Sequence, residues 1–185
     1  MRLLKFEFPR MKVTTKKDNP FDHYTQLLAK ADQMFDTAAA RHPGQFQCGA
    51  GCYACCQPGL TVTHVEAARI REWLSDHAEL SRVIRSGDGM LADPGYCGML
   101  DADGRCSIYE VRPLICRSHG MPVSWKTDEA EARDCCPLNF KEIDLDSLDP
   151  GDVLSLDKLN MILSAVDHAY DSEKSGERVL ITVLV

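Results

Sequence analysis

The sequence predicts an α-rich α+β chain, with helices flanking an irregular, cysteine-rich, metal-organised centre that carries a short β-hairpin. Three observations predict it. Segments near both ends repeat apolar residues at helical spacing. The stretch 90–147 lacks that spacing and is punctuated by glycine, proline and aspartate. Nine cysteines fall between positions 48 and 136, four of them within nine residues. A length of 185 residues suits one domain. The expected division is an N-terminal tail over 1–19, a single metal-binding domain over 20–175 with its motif region at 45–140, and a C-terminal strand or tail over 176–185.

Residues 1–19 are charged and irregular, and Lys16-Lys17-Asp18-Asn19-Pro20 marks a break. Asn19 or Asp22 is placed to cap a helix from about Phe21 to Arg41, whose stripe runs Phe21, Tyr24, Leu28, Ala31, Phe35, Ala38. His42-Pro43-Gly44 ends it. Thr63-x-x-Glu66 has the form of a capping box and opens a second helix reaching about Ile84. Gly98 to Tyr109, with Asp101-Ala102-Asp103-Gly104 at its tip, is the expected hairpin. Leu156, Leu159, Leu163, Val166 and Tyr170 form the seam of a last helix over Val153 to Asp171. Arg178 to Val185 is β-prone and suits an edge strand.

Composition narrows the function. A net charge of −7 argues against a general nucleic-acid binder, which needs a basic surface to neutralise phosphates. No apolar run is long enough for a membrane helix. The first ten residues lack the apolar stretch of a secretory signal, so the cytoplasm is the expected location. Thiols stay reduced there, and an odd cysteine count also disfavours a disulfide framework. The implied partner is a metal ion; no protein partner is indicated.

Cys48-x3-Cys52-x2-Cys55-Cys56 supplies thiolates at the short spacings that chelating loops use. Gly49 and Gly51 let the backbone pass close to a metal. Adjacent side chains diverge in a helix or a strand, so Cys55 and Cys56 are expected to serve different centres, or one of them none. Cys97, Cys106 and Cys116 form a second group, and Cys135-Cys136-Pro137 closes the set. Eight ligands would complete two four-cysteine sites. Arg112 and Arg117 are candidates to offset thiolate charge and to donate hydrogen bonds to sulfur or nearby carbonyls. Zinc, iron and an iron–sulfur cluster all suit such ligands.

The run Cys48-x3-Cys52-x2-Cys55-Cys56, then Cys97, then Cys106-Ser107-Ile108-Tyr109, Arg112-Pro113, Cys116-Arg117 and Cys136-Pro137 resembles the CxxCxxCC (YkgJ-type) family of zinc- or iron-chelating domains. The likeness spans about residues 45–140. Some members have two residues, rather than three, in the first gap. It implies metal ligation by Cys48, Cys52, Cys55, Cys56, Cys97, Cys106, Cys116 and Cys136, with Cys136 matched because proline follows it and Cys135 extra. A flagellin lysine methylase is related to the family, which implies an enzymatic branch, but no methyl-donor site is legible in this chain.

The favoured function is therefore metal chelation through a cysteine cluster. The alternatives are an iron–sulfur enzyme with redox or group-transfer chemistry, and an adaptor shaped by metal. The first three cysteines also share the spacing of radical S-adenosylmethionine enzymes. Ala54 stands where an aromatic residue commonly precedes the last cysteine there, and no strand–helix repeat long enough for their barrel exists. His119, three residues past Cys116, is placed to ligate metal or orient a site, but a lone histidine near a turn is expected to be exposed. Asp101-x-Asp103-Gly104 is expected to be a turn rather than a calcium loop. Ser118 and Ser124 lack a recognisable base, and no His-Glu-x-x-His helix is present.

Overall fold

A computed structural model describes residues 20–49 and 51–185. The expected tail over 1–19, with Asn19 as a cap, lies outside them. The first helix, α1, spans Pro20–Arg41, with Asp22 in its first turn and Arg41 in its last, where each charge complements the helix dipole. Its apolar stripe buries Tyr24, Leu27, Ala31 and Ala38. These pack with Leu159, Leu163 and Val166 of a second long helix, α5, Leu156–Tyr170. Leu114 of the five-residue α4, Leu114–Ser118, and Met121 complete this first core. Arg41 and His42 both reach Asp152, at 2.7 and 2.9 Å, which ties the end of α1 to the approach to α5.

A second core lies under α2, His64–Asp76, and α3, Ala78–Ser86. It gathers Val62, Ile70, Leu74 and Ile84 with Met99, Ile108, Val111 and Ile181. Its chain is mostly irregular, pinned by the two-stranded pairing of β1, Thr61–Val62, with β5, Val179–Leu180. The C-terminal edge strand therefore exists, but after two residues it becomes a 3-10 turn over Ile181–Val183.

The helix expected to run from Thr63 to Ile84 is interrupted. His77 adopts φ −119°, ψ 54°. Its ring stacks on Trp73, and its Nδ1 lies 2.7 Å from the Trp73 carbonyl oxygen. That carbonyl is the one the His77 N–H would take in a continuing helix, so the side chain displaces the backbone bond. The last helix also starts later than expected. Leu154–Ser155, β4, pairs in parallel with Val123 and Ser124, and Ser155 caps α5 by accepting from the Lys158 N–H.

The hairpin expected over 98–109 is a tight turn closed by one isolated bridge, Leu100 to Cys106, while Asp101 bridges outward to Met90. Asp101 Oδ1 accepts from the N–H groups of Asp103 and Arg105, at 3.0 and 2.8 Å. The full hairpin lies in the stretch expected to be irregular. Strand β2, Val123–Lys126, pairs antiparallel with β3, Glu131–Asp134. Among the described residues no helix is long and apolar enough to cross a membrane.

Candidate metal centre

Between α1 and the second core opens a cleft of about 940 Å³, lined by Cys48, Cys52, Cys55, Cys56, Cys97, Cys106 and Cys116. All nine cysteines are unpaired thiols. Seven cysteines from four stretches of chain thus line one space, together with Arg112, Arg117 and His119.

Local backbone bonds place each of them. Cys52 N–H donates to the Gly49 carbonyl at 3.0 Å, and Cys56 N–H to the Tyr53 carbonyl at 2.9 Å. Gln57 N–H then donates to the Cys55 carbonyl at 2.9 Å, which puts Cys56 at the apex of a three-residue turn. Here the expected divergence of adjacent side chains fails. Cys55 and Cys56 lie in neither helix nor strand, and their thiols hydrogen-bond each other. Cys97 N–H donates to the Cys56 carbonyl at 2.8 Å, so these two residues are locked side by side. Cys106 is held by its bridge to Leu100. The Tyr53 ring packs on Gly104, where a Cβ would come within 2.5 Å of it, and this fastens the first cysteine loop to the Asp101 turn.

Cys116 depends on Glu66. The capping-box carboxylate accepts from Thr63 N–H at 2.8 Å, and its other oxygen accepts from Leu114 N–H at 2.9 Å. One buried side chain therefore serves the starts of both α2 and α4, and Tyr24 of α1 also donates to it at 3.5 Å. Arg117 is a brace. It pairs with Asp32 at 2.6 Å and donates to the carbonyls of Arg112 and Glu110 at 3.0 and 2.7 Å. Arg112 lies 3.6 Å over the Tyr109 ring, and its charge favours the thiolates of Cys55, Cys106 and Cys116. Both arginines take carbonyls, Arg112 Nε donating to Tyr109 at 3.1 Å, and Arg112 also offsets thiolate charge.

Two neighbourhoods emerge. Cys116 is pushed up to about 12 by burial, then by the charges of Cys106 and Cys97. Burial also raises Cys97 and Cys106. Cys56 is raised by its hydrogen bond with Cys55, by burial, and by Cys55, Cys106 and Cys116. Cys55 is lowered to about 6 by its hydrogen bond with Cys56, assisted by His119 and Arg112 against burial. At the opposite wall, burial raises Cys48, which also feels Cys136, Cys52 and Cys55. Cys136 and Cys135 do not line the cleft. The Cys135 sulfur lies 3.4 Å from the Cys136 carbonyl oxygen and packs near Phe140, Leu148 and Val153.

Three residues that sequence reasoning did not assign to the site belong to it. Asn139 is buried and donates to the Cys48 sulfur at 3.3 Å and to the Gly120 carbonyl at 2.7 Å, while its Oδ1 accepts from Gln47 N–H at 2.8 Å. No local pattern announces it. Gly120, at φ +93°, would place a Cβ 2.7 Å from the Cys48 sulfur. His119, expected to be exposed, has a buried Nε2 with no hydrogen-bond partner among the described residues.

Among the described residues no three His, Cys, Asp or Glu side chains already form an ion-holding group. The donor chemistry nevertheless fits a thiophilic metal. Soft sulfurs dominate, the His119 Nε2 lacks a hydrogen-bond partner among the described residues, and the charge of Arg112 favours the thiolates. Residues 47–137 match the family model CxxCxxCC, described as "Putative zinc- or iron-chelating domain". No curated protein and no solved structure matches the chain.

Proposed function

We propose, on the match of residues 47–137 to the CxxCxxCC family model, that this protein holds zinc or iron in the thiol cleft and uses it to organise the 45–140 segment. The convergence of seven cysteines on one cleft carries this reading. Cys48, Cys52, Cys55, Cys56, Cys97, Cys106 and Cys116 are the ligand pool, and Cys136, within reach of Cys48's field, is the eighth thiol the sequence nominates. The sulfurs must draw in around the ion from their present positions. When bound, the metal would supply cross-links between loops that share little regular structure. Arg112 would offset part of the thiolate charge, while Arg117 and Glu66 hold the backbone that presents Cys116. Reduced thiols suit a cytoplasmic setting.

The size of the cleft favours a second reading. A volume of about 940 Å³ is within the range of small-molecule sites. An iron–sulfur cluster with a position open to substrate would fit such a space, and would make the protein a redox or group-transfer enzyme.

Anaerobic purification, elemental analysis and an absorption spectrum test both readings. Colourless protein with stoichiometric zinc supports the first, and brown protein with broad visible bands the second. Native protein carrying neither metal, and taking up neither after reduction, would overturn both.

A further inference from the structure

The cleft raises a question the cysteine count does not answer: what completes the set around its outer wall. Cys48, Cys52 and Cys55 belong to the loop that follows α1, and Cys56, though its thiol meets that of Cys55, packs with Cys97 and Cys106 against the second core and feels the charges of Cys106 and Cys116. A fourth ligand for the outer three is needed for a tetrahedral site. Cys136 is the sequence's nominee, yet it does not line the cleft.

His119 does line it. Its Nε2 is buried and has no hydrogen-bond partner among the described residues. Buried polar atoms are normally satisfied, so an orphaned imidazole nitrogen facing thiols needs an explanation. Two observations connect it to the outer loop. The charge of His119 acts on Cys55, and Gly120, the next residue, sits so close to Cys48 that a Cβ there would lie 2.7 Å from its sulfur. Backbone at φ +93° delivers that approach, which a side chain at position 120 would block. Cys48 in turn feels Cys52 and Cys55. Charge favours a nitrogen too. Three thiolates and a neutral imidazole leave a divalent ion with one negative charge instead of two, in a cleft where Arg117 is already paired with Asp32.

Resting on the metal reading above, we infer that His119 Nε2 is a metal ligand, completing a mixed thiolate–imidazole centre with Cys48, Cys52 and Cys55 beside an all-thiolate centre of Cys56, Cys97, Cys106 and Cys116. Cys136 is then a neighbour of the outer centre and not a ligand.

The full chain, with ¹⁵N in its histidine rings, is titrated under reducing conditions with ¹¹³Cd²⁺ as the probe. The expected result is one imidazole nitrogen split by direct coupling to cadmium and assigned to His119 by correlation to its own backbone. The splitting disappears in His119→Gln and persists in Cys136→Ala. The second equivalent of cadmium binds at least tenfold more weakly to His119→Gln, and the first is unchanged. Cadmium bound with no split nitrogen, or a splitting lost in Cys136→Ala and kept in His119→Gln, overturns the inference while leaving the metal reading intact. Failure of the wild-type chain to bind cadmium overturns both. The wild-type spectrum decides by itself if a variant does not fold.

Discussion

The inner and outer walls of the thiol cleft are built by different means. Cys56, Cys97 and Cys106 belong to or pack against an apolar core that includes Ile70, Met99 and Ile108. The outer loop has no such backing. Cys48 is exposed and is positioned by one amide, Asn139, and by the close approach of Gly120. A wall built by burial keeps its shape with or without an ion, but burial raises its thiol pKa values and opposes the charged form a metal needs. In the outer loop burial raises Cys48 as well, and Cys55 alone is lowered, by its hydrogen bond with Cys56; a wall held by loop hydrogen bonds loses its order more easily. The contrast teaches that this cleft pairs a preformed half with an adaptable half.

The largest expected effect comes from removing metal. Structural zinc contributes roughly ten kcal/mol or more in small zinc modules. Chelation of native protein should lower the melting temperature sharply. Hydrogen exchange should then show loss of protection first over 48–60, next over 97–116, and last in α1 and α5. Uniform loss would erase the distinction between the walls.

Glu66→Ala comes next. It leaves the buried N–H groups of Thr63 and Leu114 without their acceptor. A cost of about 3 kcal/mol is expected, seen as a fall of about 10 °C in a thermal melt. Gly104→Ala should cost about 2 kcal/mol, because position 104 has φ +75° and the new Cβ meets Tyr53. Urea melts check it, and adding Tyr53→Ala should recover part of the loss.

Asn139→Ala acts on the outer wall. Removing the donor to Cys48 should weaken outer metal binding about tenfold, measured by competition with a chromophoric chelator, and leave inner affinity unchanged. The smallest effect concerns pH. In metal-free protein Cys55, lowered to about 6, is mostly thiolate at pH 7, and Cys116, raised to about 12, is protonated. Iodoacetamide should modify Cys55 at a rate that levels off above pH 7, while Cys116 stays slow until strongly alkaline conditions. Mass spectrometry of each cysteine peptide reads both rates.

Much of the scaffold was legible because it rests on periodicity and capping. The stripe from Tyr24 to Ala38 and the seam from Leu159 to Val166 place α1 and α5 directly. Thr63 and Glu66 mark the start of α2. The hairpin of β2 and β3 was not legible. Its turn, closed between Thr127 and Ala130, lacks the glycine or asparagine signal, and its second strand is the charged Glu131-Ala132-Arg133-Asp134. The break at His77 depends on a histidine ring taking a backbone acceptor, which no helical pattern encodes. Within the site, spacing singled out all seven cleft cysteines. It missed the convergence of Cys55 and Cys56, because the divergence rule assumes regular backbone and Cys56 sits in a tight turn. Asn139 reaches Cys48 across 91 positions of chain, a relation only the tertiary fold creates.

X-ray absorption at the edge of whichever metal native protein carries tests the central claim most directly. A first coordination shell dominated by sulfur at about 2.3 Å is expected. A shell of only oxygen and nitrogen near 2.0–2.1 Å would contradict it.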